Sequence, residues 1–280
     1  MKKIIRSQLY QLFLDKAIIV ILIPWLISLA AAIIQRESDV SISVPEDLPQ
    51  GSLVFVKIWL EDHSDTTIFA FIISALLLAK DFGDKTINYE ILSGKTRTQV
   101  LFSRFLLALA INESMMLIQL WVYPLTYAVR FGWGINYSVR DALITTMLMI
   151  FYIFRVTAEV ALFAVLLKRK SFTYFVPVIL MFVGSIIGEM IFSELMFISQ
   201  NERYIPEWII RLTDIFTIGI YTAIIQLPSE EIMDASNKSF EHYMAFDKPF
   251  ALGEEIVMTL GVGLILMTIA YRRFSRKDME

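Results

Sequence analysis

The chain has no cysteine in its 280 residues, which excludes disulfides and thiolate-held metals. Histidine is nearly missing as well: His63 and His242 are the only two, and both fall outside the apolar runs. A histidine-based metal site or proton relay inside a membrane is thereby excluded. Serine and threonine hydroxyls within those runs have no imidazole to activate them. No aspartate is buried in an apolar run, so an aspartyl-type pair is not expected either. Charged residues are scarce, at 19%, where soluble proteins carry about 25%. There is no internal repeat and no low-complexity tract. What remains is hydrocarbon: 56% of residues are hydrophobic and the mean hydropathy is +0.62. That is the composition of an integral membrane protein.

A nucleotide site is lacking too. Ser93-Gly94-Lys95-Thr96 looks like the end of a phosphate-binding loop. The full pattern, G-x-x-x-x-G-K-[ST] between a buried strand and a helix, needs glycine at the position Tyr89 occupies. Residues 81–88 are polar and hold no buried strand. The chain is expected to bind no cofactor itself.

A bilayer core about 30 Å thick needs about 20 apolar helical residues. Six runs qualify: 17–34, 64–80, 104–129, 142–167, 172–198 and 253–271. Pro24, Pro124 and Pro177 are expected to bend their spans, because proline removes a helical hydrogen bond. With the N-terminus inside, the inner segments carry 16 Lys and Arg and the outer ones 8. This satisfies the positive-inside rule with both termini cytoplasmic. Ala30-Ala31-Ala32 looks like a signal-peptidase site, but the residues before it form too long and too apolar an n-region, so an uncleaved span is expected. The fold expected is all-α, one membrane domain over 1–280 with six transmembrane helices. Residues 1–16 read either as an amphipathic helix on the inner leaflet, its apolar face in membrane lipid, or as an early start to the first span. Residues 35–63 form an acidic outer segment. Within the outer loop 199–252, residues 206–227 suit a re-entrant helical hairpin before the last span. A seventh crossing there would put the basic C-terminus outside.

Several charges fall inside the runs. A charge at mid-span costs about 2.5–3.5 kcal/mol, so such residues face protein or a wet cavity and have partners. Asn112 and Glu113 lie in the third run, Arg155 and Glu159 in the fourth, and Glu189 and Glu194 in the fifth. Arg155 and Glu159 share a helix face. Arg155 is expected to pair with Glu159, with Glu113, or with both. Glu113, Arg155, Glu159 and Glu189 are either packing elements or part of a substrate path.

The inner loop 81–103 draws the sharpest expectation. Thr86 to Leu92 suits a short helix, capped by Asp84 and ended by Gly94. Tyr89, Ile91 and Leu92 would then be apolar groups on a soluble face, as a protein docking site requires. The stretch AKDFGDKTINYEILSGKTRTQVLFSRFLL, from Ala79 to Leu107, resembles the membrane subunits of ABC-2-type transporters. The matching residues are Asp81, Gly83, Asp84, Lys85, Thr86, Leu92, Ser93, Thr96 and Arg97. Phe82 stands where that family often has glutamate, and Gly94 where it often has proline. The six spans, the amphipathic N-terminus and the apolar excursion before the last span extend the likeness over nearly the whole chain.

The resemblance implies an exporter subunit that is not itself an enzyme. It implies a second membrane subunit, identical or related, and cytoplasmic ABC ATPases beneath, which bind ATP and Mg. Residues 81–103, including Tyr89, Glu90 and Ile91, would couple the two. Small permeases of this kind resemble those that export amphipathic peptides or confer resistance to peptide antibiotics, in a bacterial plasma membrane. A non-transporting scaffold or regulator is the other class open to the sequence. No nucleic-acid partner is expected.

Overall fold

The structure is a computed structural model. It describes residues 51–83, 90–92, 94–134, 138–167 and 256–276, together with residues 10, 22–27, 29–30, 176, 179, 183 and 253. Most of residues 1–16 and of the fifth run, the outer loop 199–252, Asp84 to Tyr89, Ser93 and Glu189 lie outside these residues. Everything described is helix or the turns between helices. Among the described residues three helices are long and apolar enough to cross a membrane: Arg97–Phe131, Val139–Leu167 and Val257–Ser275.

The first long helix, α1 (Gly51–Gly83), starts within the expected outer segment and runs through the second apolar run. Its 33 residues span about 50 Å at 1.5 Å per residue. Residues 51–63 of the acidic segment are thus helical rather than loop. The start is held from outside the helix. The Gly51 and Ser52 N–H groups, orphaned at a helix N-terminus, donate to the Gly132 and Trp133 carbonyls at 3.1 and 2.8 Å. Glycine is required at 51, since a Cβ there would lie 2.8 Å from both the Ala128 Cβ and the Pro124 carbonyl oxygen.

Helix α2 (Arg97–Phe131) opens on a capping box. The Gln99 N–H donates to Thr96 Oγ1 at 3.2 Å, and the Thr96 N–H donates to Gln99 Oε1 at 3.3 Å. The helix continues through Pro124 and stops at Gly132, whose φ of 84° favours glycine. Helix α3 (Val139–Leu167) opens on Ser138, whose Oγ accepts the Asp141 N–H at 3.1 Å. Asp141 also places a negative charge in the first turn, where the helix dipole favours it. A π-helical turn (Val257–Gly261) leads into α4 (Val262–Arg276).

Helix α1 runs antiparallel to α2, and α2 to α3, around one core that includes Phe55, Phe71, Phe105, Met116 and Ile153. Small residues at 158, 161 and 164 of α3, all alanine and fully buried, allow close helix approach. Helix α4 lies against α3 and runs the same way. Gly263 meets Phe154 and Arg155, and Phe274 reaches Val165 and Val100. Residues 22–27 are helical and pack between α1 and α2, with Trp25 against Ile73 and Met115. At the end where α1 begins, Trp121 stacks on Trp133, centroids 5.9 Å apart, with Phe55 against both. Aromatic clusters of this kind mark a membrane–water boundary.

Candidate functional site: a stapled turn and a polar mid-bundle

The Gly-Lys-Thr triplet has a structural explanation. Residues 90–92 are helical, and Gly94 has φ +89°. The Gly94 N–H donates to the Ile91 carbonyl at 2.9 Å, and the Lys95 N–H to the Glu90 carbonyl at 3.3 Å. This bond pair is the Schellman ending of a helix. Thr96 then caps α2. One glycine stops a helix, and two residues later a threonine starts the next.

Side chains fasten this turn to the bundle. Glu90 faces two bases: Lys95 Nζ at 3.6 Å from Oε1, and Arg104 Nη2 at 3.2 Å from Oε2. Arg104 is buried on α2, its side chain 5% exposed. Ile91 is half-buried, packed against a cluster made by Val100 and Leu101 of α2, Val165 of α3, and Ala270 and Phe274 of α4. The expectation that Ile91 stands exposed is corrected here, because an apolar groove formed by three helix ends takes it. Leu92 is 82% exposed. Residues 97–103, assigned above to the inner loop, are the first turns of α2, and Asp81 and Gly83 belong to the end of α1. The connection between the two helices is therefore shorter than the expected 81–103 loop.

The second polar region lies mid-bundle. Asn112 is fully buried and its Nδ2 donates to Ser74 Oγ at 2.7 Å and to Thr157 Oγ1 at 3.1 Å. One amide thus joins α1, α2 and α3. Arg155, also buried, donates from Nη1 to the Met258 carbonyl in the π-helical turn at 3.3 Å. Its charge acts on Glu159, one turn along α3. Of the two carboxylates expected for Arg155, Glu113 makes no hydrogen bond to it. Both Glu113 carboxylate oxygens are buried with no hydrogen-bond partner among the described residues.

No protein-family model matches this chain, and no curated protein matches it. The functional argument therefore rests on the geometry. Arg104, Ser74 and Thr157 are the residues sequence reasoning missed. Arg104 carried a signal, as a base inside the first turns of an apolar helix. Ser74 and Thr157 carried none beyond a depth similar to that of Asn112. Met258 acts through a backbone carbonyl, which no side-chain pattern announces. Among the described residues no cluster of His, Asp or Glu suits a metal ion.

Proposed function

We propose that the chain is the membrane subunit of an ATP-driven exporter of the ABC-2 kind, with the turn at Glu90–Lys95 docking a separate cytoplasmic ATPase. The observation that carries this reading is Leu92, 82% exposed on a turn that ion pairs and Ile91 hold in place. A docking residue needs an accessible apolar side chain on a preorganised backbone. The Lys- and Arg-rich character of the same end fits a cytoplasmic location. Helices α3 and α4 run in the same direction, which is what a single crossing over 172–198 between them requires. A non-crossing stretch at 206–227 then completes six spans with both termini inside. Residues 22–27 pack into the bundle, as a retained first span does. A second permease subunit, identical or related, completes the assembly.

The cargo proposed is an amphipathic peptide. The outer face holds more acids than bases and attracts cationic peptides by long-range Coulomb forces. Asn112 and Arg155 serve packing, since the Asn112 amide and Arg155 Nη1 donate to neighbouring helices. Glu113, whose carboxylate oxygens have no hydrogen-bond partner among the described residues, is the polar group proposed to line a substrate path.

The test uses the full chain expressed with an ABC ATPase from a neighbouring reading frame, whose absence would itself favour a scaffold. Leu92→Asp should lose co-purification of that ATPase, while Val129→Asp, exposed at the far end of α2, should keep it. Undiminished binding of the Leu92→Asp variant would overturn the docking role. ATPase binding without peptide-stimulated hydrolysis would favour a regulator or scaffold.

A further inference from the structure

The turn after α1 is bound to the rest of the bundle by two kinds of contact that meet at one place. Glu90 is ion-paired to Arg104, a residue of α2 that is almost wholly buried. Its neighbour Ile91 sits in a groove whose walls come from α2, α3 and α4. The Schellman bonds of Gly94 and Lys95 and the capping box of Thr96 fix the backbone between these anchors. A buried guanidinium with a carboxylate partner holds its geometry more firmly than an exposed pair, because breaking it leaves a desolvated charge behind. Arginine also restrains orientation as well as distance, through its planar fork.

We infer that Arg104 is a positioning residue: by gripping Glu90 it keeps Ile91 seated between α2 and α4, so that the turn carrying Leu92 and the last apolar helix move as one rigid body. A displacement applied at Leu92 then reaches Phe274, at the far end of the groove, without being absorbed in a soft loop. The consequence for transport rests on the docking role proposed for Leu92; the mechanical link does not. Coupling of this kind needs a contiguous set of packed side chains, which Glu90, Arg104, Ile91, Val100 and Phe274 supply.

The absence of cysteine makes the test direct. Spin labels are attached to cysteines introduced in place of Leu92 and Tyr271, both exposed. The full chain is reconstituted in lipid nanodiscs without any ATPase, and the label-to-label distance distribution is measured. A second label pair at Val129 and Val139, exposed at the opposite end, reports whether the bundle is intact. The starting protein should give a narrow Leu92–Tyr271 distribution. Arg104→Gln should broaden it roughly twofold while the far-end distribution stays unchanged, as loss of a local link requires. The exchange Glu90→Arg with Arg104→Glu should restore the narrow distribution, which a purely steric role for Arg104 would not. If Arg104→Gln also disturbs the far end, Arg104→Lys takes its place, with an intermediate width expected. An unchanged width in the neutral variant, or no recovery on charge exchange, would overturn the inference. Because no ATPase is present, these results stand whether or not Leu92 docks one.

Discussion

Replacing Asn112 by leucine removes the amide that ties three helices together while keeping a similar volume. The amide makes two interhelical hydrogen bonds, to Ser74 Oγ at 2.7 Å and to Thr157 Oγ1 at 3.1 Å. Interhelical hydrogen bonds in membrane proteins average about 0.6 kcal/mol and reach about 1.7. Two of them set a range from about 1.2 to about 3.4 kcal/mol. The lower half of that range is expected, because Thr157 is not orphaned by the change: its Oγ1 also donates to the Ile153 carbonyl at 2.8 Å. Asn112 Oδ1, which has no hydrogen-bond partner among the described residues, also stops being a buried polar atom. The expected loss is therefore about 1–2 kcal/mol. Tryptophan fluorescence during SDS titration of the refolded protein in mixed micelles measures it. Combining Asn112→Leu with Thr157→Val, and separately with Ser74→Ala, gives a coupling energy for each bond, expected near 0.6 kcal/mol. Coupling below about 0.2 kcal/mol in both cycles would show that the amide does not hold the helices together.

Three further outcomes follow from individual contacts. Gly94→Ala places a Cβ in open space but at φ +89°, costing about 1–2 kcal/mol of torsional energy. Hydrogen exchange at the Lys95 amide should accelerate about 5–30-fold while amides of α3 keep their protection. Gly263→Ala puts a Cβ 2.8 Å from the Phe154 ring and 3.1 Å from the Arg155 Cα; overpacking of this sort costs about 1–3 kcal/mol, read as a lower detergent-unfolding midpoint. Trp121→Phe removes the indole bond to Thr146 Oγ1 at 3.0 Å, worth about 0.6 kcal/mol. It also removes the Trp121–Trp133 stack, so the near-ultraviolet circular dichroism of the folded protein should weaken.

The helical class and the long apolar segments were legible because a 20-residue apolar run has few other uses. The helix stop at Gly94 was equally local, since a glycine at positive φ ends a helix from its own position. Boundaries fared less well. Residues 97–103 are polar enough to read as loop, yet the capping box at Thr96 and Gln99 begins the helix there. Gly51 reads as a loop residue following Pro49, but its N–H finds a carbonyl on a turn that lies far along the chain. Ile91 was expected outward because nothing in its own neighbourhood reveals a groove built from Val100, Val165 and Phe274. Arg155 was expected to seek a carboxylate. Its charge does act on Glu159, one of the partners expected, and it also donates to the Met258 carbonyl, which a π-helical turn presents to it. In each miss the deciding partner was distant in sequence or belonged to the backbone.

The tie between the start of α1 and the Gly132–Trp133 carbonyls imposes an order on biogenesis. Gly51 and Ser52 emerge from the ribosome about 80 residues ahead of the groups that accept their protons, a delay of several seconds at about 5–20 residues per second. During that interval the nascent helix has an unfinished beginning. It becomes complete only when the hairpin downstream has been inserted and turned back.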